Sequence, residues 1–408
     1  MTLIRPFRAL RTAPGRAADV LAPPYDVLSS AEARAHAEGR PWSFLHVSKP
    51  EIDLDPAIDP HDAAVYAKAR ENLGRMVAAK VLIRDASPCY YVYRLTWRGR
   101  AHTGLAAVAS IADYEAGRIR KHELTTPVKE DDRVRQIEAV NAQTGPVMLA
   151  YPAAPALDAA LASATNTAPV VDVTGLDGVR HQLWIFDKPE AIDTLTSMVD
   201  ALPALYIADG HHRSAAAARV AHVRGHDPAA SYAYFLAVLF PDHEMTILDY
   251  NRLIKDLNAH SAEAVIAALA QSFAVEPTDG PAHPREKNEF GMYLAGRWYR
   301  LTFPSALIPQ HDPIGRLPIT LLTRHAIEPV FGITNQRADK RIDFVGGARG
   351  LEELERRVQS GEMAVAFALY PTEMADLMAV ADANGIMPPK STWFEPKLAD
   401  GMVSHVLD

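Results

Sequence analysis

The residues best suited to chemistry lie together in the stretch LYIADGHHRSAAAARV, residues 205–220. An apolar segment ends in Asp-Gly, and two histidines and an arginine follow before a block of alanines. A strand that turns sharply into a helix leaves backbone N–H groups unpaired at the helix start, and these groups favour an anion. The arginine can hold phosphate oxygens with two nitrogens, and each histidine can also move a proton near neutral pH. The pattern predicts a phosphate-binding turn made of Asp209, Gly210, His211, His212 and Arg213.

Other interpretations of this stretch stay open. Asp209 could help to hold Mg²⁺, which takes few carboxylates and keeps several waters. A site made by Asp209, His211 and His212 alone matches no zinc spacing, although two histidines with a metal would suit a phosphatase. An Asp-Gly turn with an exposed His-His pair would have no chemistry at all.

A second polar cluster is RKHELTTPVKEDDR, residues 120–133. A carboxylate beside a histidine and a lysine can serve as a general base. We therefore predict Glu123, His122 and His212 as catalytic residues. The alternative is a solvated charged loop that leads into a helix, which is the usual role of a charge run.

The third cluster is MPPKSTWFEPKL, residues 387–398. Lys390, Ser391 and Thr392 are donors of the kind that bind phosphate, and Lys397 is a fourth. The aromatic pair between them indicates that this tail docks onto the protein, since a free extension is usually small and polar. A purely structural strap is the alternative. Two further polar segments, APPYDVLS with Tyr25 and Asp26 and SFLHVSKPEID with His46 and Lys49, are equally consistent with turns and helix caps.

Composition limits the classes of function. The chain has 408 residues and a net charge of −8, which argues against a nucleic-acid backbone as the main partner. A single cysteine, Cys89, excludes an internal disulfide and any multi-cysteine zinc site. No signal-peptide core and no apolar run of about 18 residues are present, so we expect a cytoplasmic protein without membrane contact.

The segments that must position these clusters indicate an α+β fold with mixed β-sheets. Aromatic and β-branched runs on either side of Arg98-Gly99-Arg100 and of Ala295-Gly296-Arg297 predict two hairpins. Helices are predicted from about Asp62, from about Lys129 to Ala142, and after the Asp-Gly turn. Strands and helices alternate without a strict βαβ rhythm. We divide the chain into an N-terminal region at 1–150, a central region at 151–255 that carries the turn, and a C-terminal region at 256–408 with the docking tail.

The same motifs carry a resemblance to a known family. RPFRALR, APPYDVLS, SFLHVSKPEIDL, KHELTTPVKEDDR, LYIADGHHRSAAA, LFPDHEMTILDYNR and MPPKSTWFEPKL occur in this order. Together they resemble the uncharacterised DUF1015 family, from about Ile4 to the C-terminus. The Asp-Gly-His-His-Arg element is also similar to that of free-serine kinases with a ParB/sulfiredoxin-like core. That resemblance implies phosphate binding by Gly210, His211, His212 and Arg213, and a base role for Glu123.

From these observations we predict a nucleotide-dependent phosphotransferase that acts on serine, phosphoserine or a similar small hydroxy amino acid. ADP or ATP would be the nucleotide and Mg²⁺ the accompanying cation. Asp209 and Gly210 to Arg213, with Lys390, Ser391 and Thr392, would bind the nucleotide. A ParB-like switch that hydrolyses nucleotides, a metal-dependent phosphatase, and a non-catalytic structural protein remain alternatives. A homo-oligomer is compatible with the sequence.

Overall fold

A computed structural model describes residues 2–225 and 227–408. The chain divides into two compact units, of which the first combines Met1–Met245 with Pro396–Asp408 and the second is Thr246–Glu395. The C-terminal segment therefore returns to the unit in which the chain begins. The division of the sequence at 150 and 255 stays a prediction, since it rests on segment composition and not on compactness.

The strands are numbered in chain order: β1 (Ile4–Arg5), β2 (Ala9–Thr12), β3 (Leu82–Arg84), β4 (Tyr90–Trp97), β5 (Arg100–Ser110), β6 (Ile119–Arg120), β7 (Ala142–Gln143), β8 (Val147–Tyr151), β9 (Val171–Thr174), β10 (Arg180–Phe186), β11 (Leu205–Asp209), β12 (Tyr234–Pro241), β13 (Thr246–Leu248), β14 (Tyr250–Ile254), β15 (Ala274–Thr278), β16 (Glu289–Leu294), β17 (Arg297–Thr302), β18 (Ile342–Gly346), β19 (Val365–Leu369), β20 (Trp393–Glu395) and β21 (Val403–Val406).

The helices are α1 (Ala17–Val20), α2 (Ser30–Ala37), α3 (Leu45–Ser48), α4 (Ala63–Ala78), α5 (Ile111–Glu115), α6 (Pro127–Val140), α7 (Pro155–Ala164), α8 (Pro189–Asp200), α9 (His211–Val223), α10 (Ala262–Leu269), α11 (Pro318–Leu322), α12 (Glu328–Phe331), α13 (Glu352–Gln359) and α14 (Met374–Asp382). Within the described ranges, none of them combines the length and the apolar character that a bilayer crossing would require.

The main sheet of the first unit has nine strands among the described residues. Its order is β6-β11-β8-β12-β5-β4-β10-β9, and β1 pairs with β5 beside this path. The pairs β11–β6 and β12–β8 are parallel, whereas β11–β8 and β12–β5 are antiparallel. The predicted α+β fold with mixed sheets is therefore confirmed. A smaller sheet in the same unit has the order β3-β2-β21-β7.

Both predicted hairpins form around two-residue turns. Trp97 pairs with Arg100 across Arg98 and Gly99, which have φ values of 50° and 78°. The turn at Ala295 and Gly296 repeats this geometry, with φ values of 50° and 79°. Two successive left-handed residues give the turn that matches the natural twist of paired strands. Glycine at the second position is the signal by which the sequence predicts both turns.

The alanine-rich face of α9 packs against the main sheet. Ala217, Ala218 and Ala221 belong to one buried cluster with residues of β8, β11 and β12. Small side chains allow the helix axis to approach the sheet closely. The start of α9 is thereby held at the end of β11, where the polar residues lie.

Helix α6 begins earlier and ends earlier than predicted. It starts at Pro127, whose missing N–H is no loss in the first helical turn. It ends before Asn141, which adopts the left-handed conformation that terminates helices. The charged segment from Lys129 to Arg133 therefore lies inside the first two turns of the helix. This places its side chains on a rigid element and not on a loop.

The second unit contains a six-stranded sheet of order β15-β17-β16-β19-β14-β18 and the pair β13–β20. The aromatic residues of the tail lie in β20, and Phe394 is buried. The Trp393 ring contacts the Tyr250 ring edge to face at 5.4 Å. The aromatic pair of the tail therefore packs within this unit, and its role as a docking element stays a prediction.

Candidate functional site

The turn between β11 and α9 has the backbone geometry of an anion site. Gly210 joins the two elements with φ 103° and ψ 28°, in the region that favours glycine. No side chain of a described residue caps α9, and the N–H groups of Arg213 and Ser214 donate to the Gly210 carbonyl as the helix begins. The N–H groups of His211 and His212 precede these bonds, so the helix itself offers them no carbonyl. They lie at the positive end of the helix dipole.

We expect Gly210→Ala to weaken nucleotide binding as well as stability. An added Cβ would lie 3.1 Å from Arg213 Nε and 3.2 Å from its Cζ, so the guanidinium would have to move. The left-handed backbone adds about 1–2 kcal/mol of strain. Nucleotide affinity by calorimetry and unfolding by urea measure the two effects.

Gly225→Ala is the matched control, because Gly225 has φ 99° and an added Cβ there meets nothing within 4 Å. It should show the loss of stability and keep nucleotide affinity. Equal affinity in the two variants would contradict a role for the Gly210 turn in binding.

Arg213 is fixed at both terminal nitrogens of its guanidinium. Nη2 donates to Asp209 Oδ2 at 2.8 Å, and Nη1 donates to the carbonyl of Pro146. About a tenth of the side chain is exposed. Burial opposes the charge, but Asp209 and Asp26 outweigh it and hold the pKa of Arg213 above its usual value. The guanidinium is therefore a permanent, preorganised cation directly behind the helix start.

Asp209 lies between two cations. Besides the bond from Arg213, Lys397 Nζ lies 4.0 Å from Asp209 Oδ1. Burial opposes ionisation of the carboxyl, but Lys397 and Arg213 outweigh it and lower the pKa of Asp209 to about 2. A β-bulge at Ile207 and Asp209 opposite β8 turns the end of the strand. Metal binding by Asp209 stays a prediction, and a metal would have to compete with both cations.

The Lys-His-Glu segment lies against the start of α9. The backbone N–H of His122 donates to His211 Nε2 at 3.4 Å, and that of Thr126 donates to His212 Nε2 at 3.2 Å. The rings of His122 and His211 meet edge to face with centroids 4.4 Å apart. The structure thus brings together two clusters that are 89 residues apart in the chain.

Both histidines of this contact are neutral near pH 7. Burial lowers the pKa of His122 to about 4. Burial and the neighbouring His122 lower the pKa of His211 well below its usual value. Because His211 Nε2 accepts a bond, its proton lies on Nδ1, which is 3.9 Å from Glu123 Oε2. Glu123 is 42% exposed, so its carboxylate is open to a ligand while one side faces His211.

The same three residues also have the donor set of a metal site. One ligand atom each from His122, Glu123 and His211 lie within 4.8 Å of one another. His122 Nδ1 is buried and has no hydrogen-bond partner among the described residues. Two imidazoles and a carboxylate suit Zn²⁺ or a similar transition metal, whereas Mg²⁺ prefers oxygen ligands. The predicted Mg²⁺ therefore finds no dedicated site in this group.

A cavity with a mixed polar and apolar lining lies beside Arg213 within the first unit. Its enclosed volume is about 30 Å³, and the free space rises to about 460 Å³ when the open mouth is included. Its walls combine charged, polar and apolar residues: Tyr25, Ser48, Arg133, Gln136, Ile137, Gln143, Thr144, Gly145, Val147, Arg213, Phe235, Leu236 and Asp400. Segments from 25, 48, 133, 145, 213 and 400 thus meet around one small space.

A comparison with models of known families identifies the family of this chain. The model described as "Protein of unknown function (DUF1015)" matches residues 4–320. The chain belongs to the DUF1015 family. The match begins where the sequence motifs predict and ends before the MPPKSTWFEPKL tail. A search of the curated proteins finds no match.

Solved structures similar to this DUF1015 protein are distant. SbnI from Staphylococcus aureus, with a C-terminal truncation, is 10% identical, with 73% of this chain and 86% of that chain covered and a TM-score of 0.38. A conserved hypothetical protein from Pyrococcus furiosus is 14% identical, with coverages of 72% and 93% and a TM-score of 0.34. A free serine kinase in complex with AMP is 10% identical, with coverages of 71% and 86% and a TM-score of 0.34. At such TM-scores the similarity carries no argument, so the ParB/sulfiredoxin-like core stays a prediction.

Three predicted nucleotide ligands of this DUF1015 chain belong to the second unit. Lys390, Ser391 and Thr392 lead into β20. The Ser391 hydroxyl donates to the Pro388 carbonyl at 2.7 Å, and the Lys390 ammonium lies 5.6 Å from the centre of the Tyr250 ring. These contacts fit the strap interpretation, and phosphate binding by the three residues stays a prediction. Lys397, from the same motif, lies in the first unit beside Asp209.

Sequence reasoning missed Arg133, Gly145 and Asp400 as site residues. Arg133 stood in the charged cluster but carried no role, and its guanidinium lies 3.8 Å from the centre of the Tyr25 ring. Asp400 follows the tail motif by two residues and is 1% exposed. A charged residue in an otherwise apolar stretch, LADGMV, was the signal available in the sequence.

Proposed function

We propose that this protein is a nucleotide-dependent phosphotransferase whose acceptor is a small hydroxy amino acid such as serine. The observation that carries the proposal is the uncapped start of α9 behind Gly210, with Arg213 fixed behind it and Glu123 beside it. Positioned donors next to an exposed base are what phosphoryl transfer requires. The resemblance of the Asp-Gly-His-His-Arg element to that of free-serine kinases selects serine as the acceptor to test.

The phosphates of ATP or ADP would bind at the helix start. The N–H groups of His211 and His212 would donate to phosphate oxygens, and Arg213 and Lys397 would supply positive charge. The Lys397 ammonium lies 4.0 Å from the Asp209 carboxylate, so its positive charge is close to the turn where the phosphates would bind. Backbone N–H groups and fixed cations cost little reorganisation when the charge of the transition state develops.

Glu123 would act as the general base. The acceptor hydroxyl oxygen attacks the terminal phosphorus while the bond from that phosphorus to the leaving phosphate oxygen breaks. The hydroxyl proton passes to Glu123, and the shortened nucleotide leaves with the electron pair of the broken bond. The Nδ1–H of His211, 3.9 Å from the carboxylate, would orient it. His122 is buried and neutral, which suits positioning of His211 better than direct proton transfer to an acceptor.

Mg²⁺ would arrive with the nucleotide. Cations of this kind keep several waters and rely on substrate phosphates for their remaining ligands. Asp209 is the carboxylate at the turn that would contact this ion or its waters. The chemistry that the ion supplies is neutralisation of phosphate charge.

The direct test is transfer of labelled terminal phosphate from ATP, and separately from ADP, to L-serine. We expect O-phosphoserine to form with one of the two donors and Mg²⁺, at a rate that depends on Glu123. Phosphorus NMR of the same mixture identifies the product. Absence of transfer from both donors, together with absence of nucleotide binding, would overturn the proposal.

A metal-dependent phosphatase is a second candidate, and the His122–Glu123–His211 group favours it. Its ligand atoms within 4.8 Å of one another leave positions open for water on a bound metal. Such an enzyme would release inorganic phosphate without any acceptor and would be inhibited by a chelator selective for transition metals. The transfer assay therefore includes a reaction without serine, in which free phosphate is measured.

A further inference from the structure

We propose that the cavity beside Arg213 binds the backbone of the amino-acid acceptor, with Asp400 accepting from its α-ammonium and Arg133 donating to its α-carboxylate. This inference rests on the proposed function, since it names the acceptor pocket of the same site. The ligand class is a small zwitterion. The proposal rests on the contacts and burial of Asp400 and Arg133, which both line the cavity.

Asp400 lines the cavity with a carboxylate oxygen that lacks a hydrogen-bond donor. It lies two residues beyond Leu398, and its backbone is fixed by paired hydrogen bonds with Ala22 at 3.0 and 3.2 Å. The carboxyl is 1% exposed, and Oδ1 accepts no hydrogen bond from any described residue. A buried carboxylate oxygen without a donor is costly, so a donor is expected to arrive from a ligand.

Arg133 is the second charged residue on which the proposal depends, and it also lines the cavity. Its Nε and Nη2 donate to Asp132 Oδ2 at 2.9 and 2.5 Å, which fixes the plane of the guanidinium. The Tyr25 ring stacks on the guanidinium, with its centre 3.8 Å from Cζ. A guanidinium held in this way presents a fixed donor to a carboxylate.

The space between the walls suits a small ligand. Only about 30 Å³ of this space is enclosed, so a ligand has to be small and would lie partly in the open mouth. Gly145 keeps this passage open, since an added Cβ would lie 3.5 Å from Asp400 Oδ1 and 3.3 Å from Arg213 Cδ. Because Arg213 also borders the phosphate turn, an acceptor in the cavity would lie next to the phosphoryl donor.

The proposal has a pH signature. Burial raises the pKa of Asp400 to about 7, against the opposing effect of Arg213, Ser48 and Arg133, while Asp26 raises it further. An ammonium ligand binds the ionised carboxylate, so binding releases a proton below pH 7. We expect serine affinity to be about tenfold higher at pH 8 than at pH 6, and half of the change to occur near pH 7.

The experiment measures ligand binding by calorimetry without nucleotide, so it does not depend on phosphoryl transfer. The ligands are L-serine, 3-hydroxypropionate, which lacks the ammonium, and ethanolamine, which lacks the carboxylate. Asp400→Asn should weaken serine binding about tenfold to a hundredfold and leave 3-hydroxypropionate binding unchanged. Arg133→Lys should weaken serine binding and leave ethanolamine binding unchanged. Asp279→Asn, an exposed carboxylate of the second unit, is the control.

Several outcomes would overturn the inference. The first is that the wild-type protein does not bind serine. The second is that Asp400→Asn weakens the binding of serine and of 3-hydroxypropionate equally. The third is that serine affinity is the same at pH 6 and at pH 8. The pH measurement uses the wild-type protein, so it decides the question even if Asp400→Asn fails to fold. If phosphoryl transfer occurs but serine binding does not depend on Asp400, the acceptor pocket is wrong while the proposed function stands.

Discussion

Arg213→Ala is expected to lower nucleotide affinity at least a hundredfold and to abolish phosphoryl transfer. The variant removes a guanidinium that is a tenth exposed and fixed by Asp209 and the Pro146 carbonyl, directly behind the phosphate turn. It also leaves Asp209 with Lys397 as its remaining cation. Removing one partner of a buried ion pair costs about 3–5 kcal/mol of stability. Calorimetric titration with ADP and thermal unfolding measure the two effects separately.

Two further variants separate binding from folding. Arg219→Ala removes a half-buried arginine from the same helix, where it pairs with Asp131 at 2.6 Å and with Glu130 at 3.4 Å, and it should change neither quantity by much. Arg213→Lys keeps a positive charge but loses the second nitrogen, so it should fold better than Arg213→Ala and still bind nucleotide weakly. A folded Arg213→Lys protein with wild-type nucleotide affinity would remove Arg213 from the phosphate site.

Glu123→Gln is expected to slow phosphoryl transfer by about 10²- to 10⁴-fold, which is the usual contribution of a general base. The amide cannot accept the hydroxyl proton, yet it has the size of the carboxylate. Because Glu123 is 42% exposed, the loss of its charge should cost little stability. The maximal rate of transfer should fall, while nucleotide affinity stays within a few-fold of wild type. Steady-state kinetics with saturating serine and direct titration with nucleotide measure these quantities.

Glu138→Gln is the control for charge, because Glu138 is an exposed residue of α6 outside the candidate site. It should leave the rate unchanged. If Glu123→Gln lowers nucleotide affinity as strongly as it lowers the rate, the residue binds the nucleotide complex and does not act as a base. If the rate is unchanged, the proton is accepted elsewhere.

Local signals predicted the elements that carry the site. The change from an apolar run to Asp-Gly predicted the end of β11 and a helix after the turn, since both depend on residues adjacent in the chain. The predicted start of α6 at Lys129 was two residues too late. The prediction followed the charged run and did not use Pro127, the residue that begins the helix. Local patterns therefore gave the elements and their order, with errors at the boundaries.

Convergence of distant segments could not be predicted in the same way. The contact of His122 with His211 joins residues 89 positions apart, and nothing in either segment specifies the other. Asp400 was missed for a related reason, since its chemistry comes from burial beside Arg213 and not from its neighbours in sequence. Lys397 and Lys390 looked alike in the tail motif, yet the first lies in the unit that carries Asp209 and the second does not.

The return of residues 396–408 to the first unit has a consequence for biosynthesis. Strand β21 lies between β2 and β7, so the four-stranded sheet stays incomplete until residues 403–406 have been synthesised. Lys397 and Asp400 arrive with the same segment, after the whole second unit has been translated. A nascent chain that has not yet reached residue 400 therefore lacks both the cation beside Asp209 and a carboxylate of the cavity lining, so the candidate site is incomplete until this segment has been synthesised.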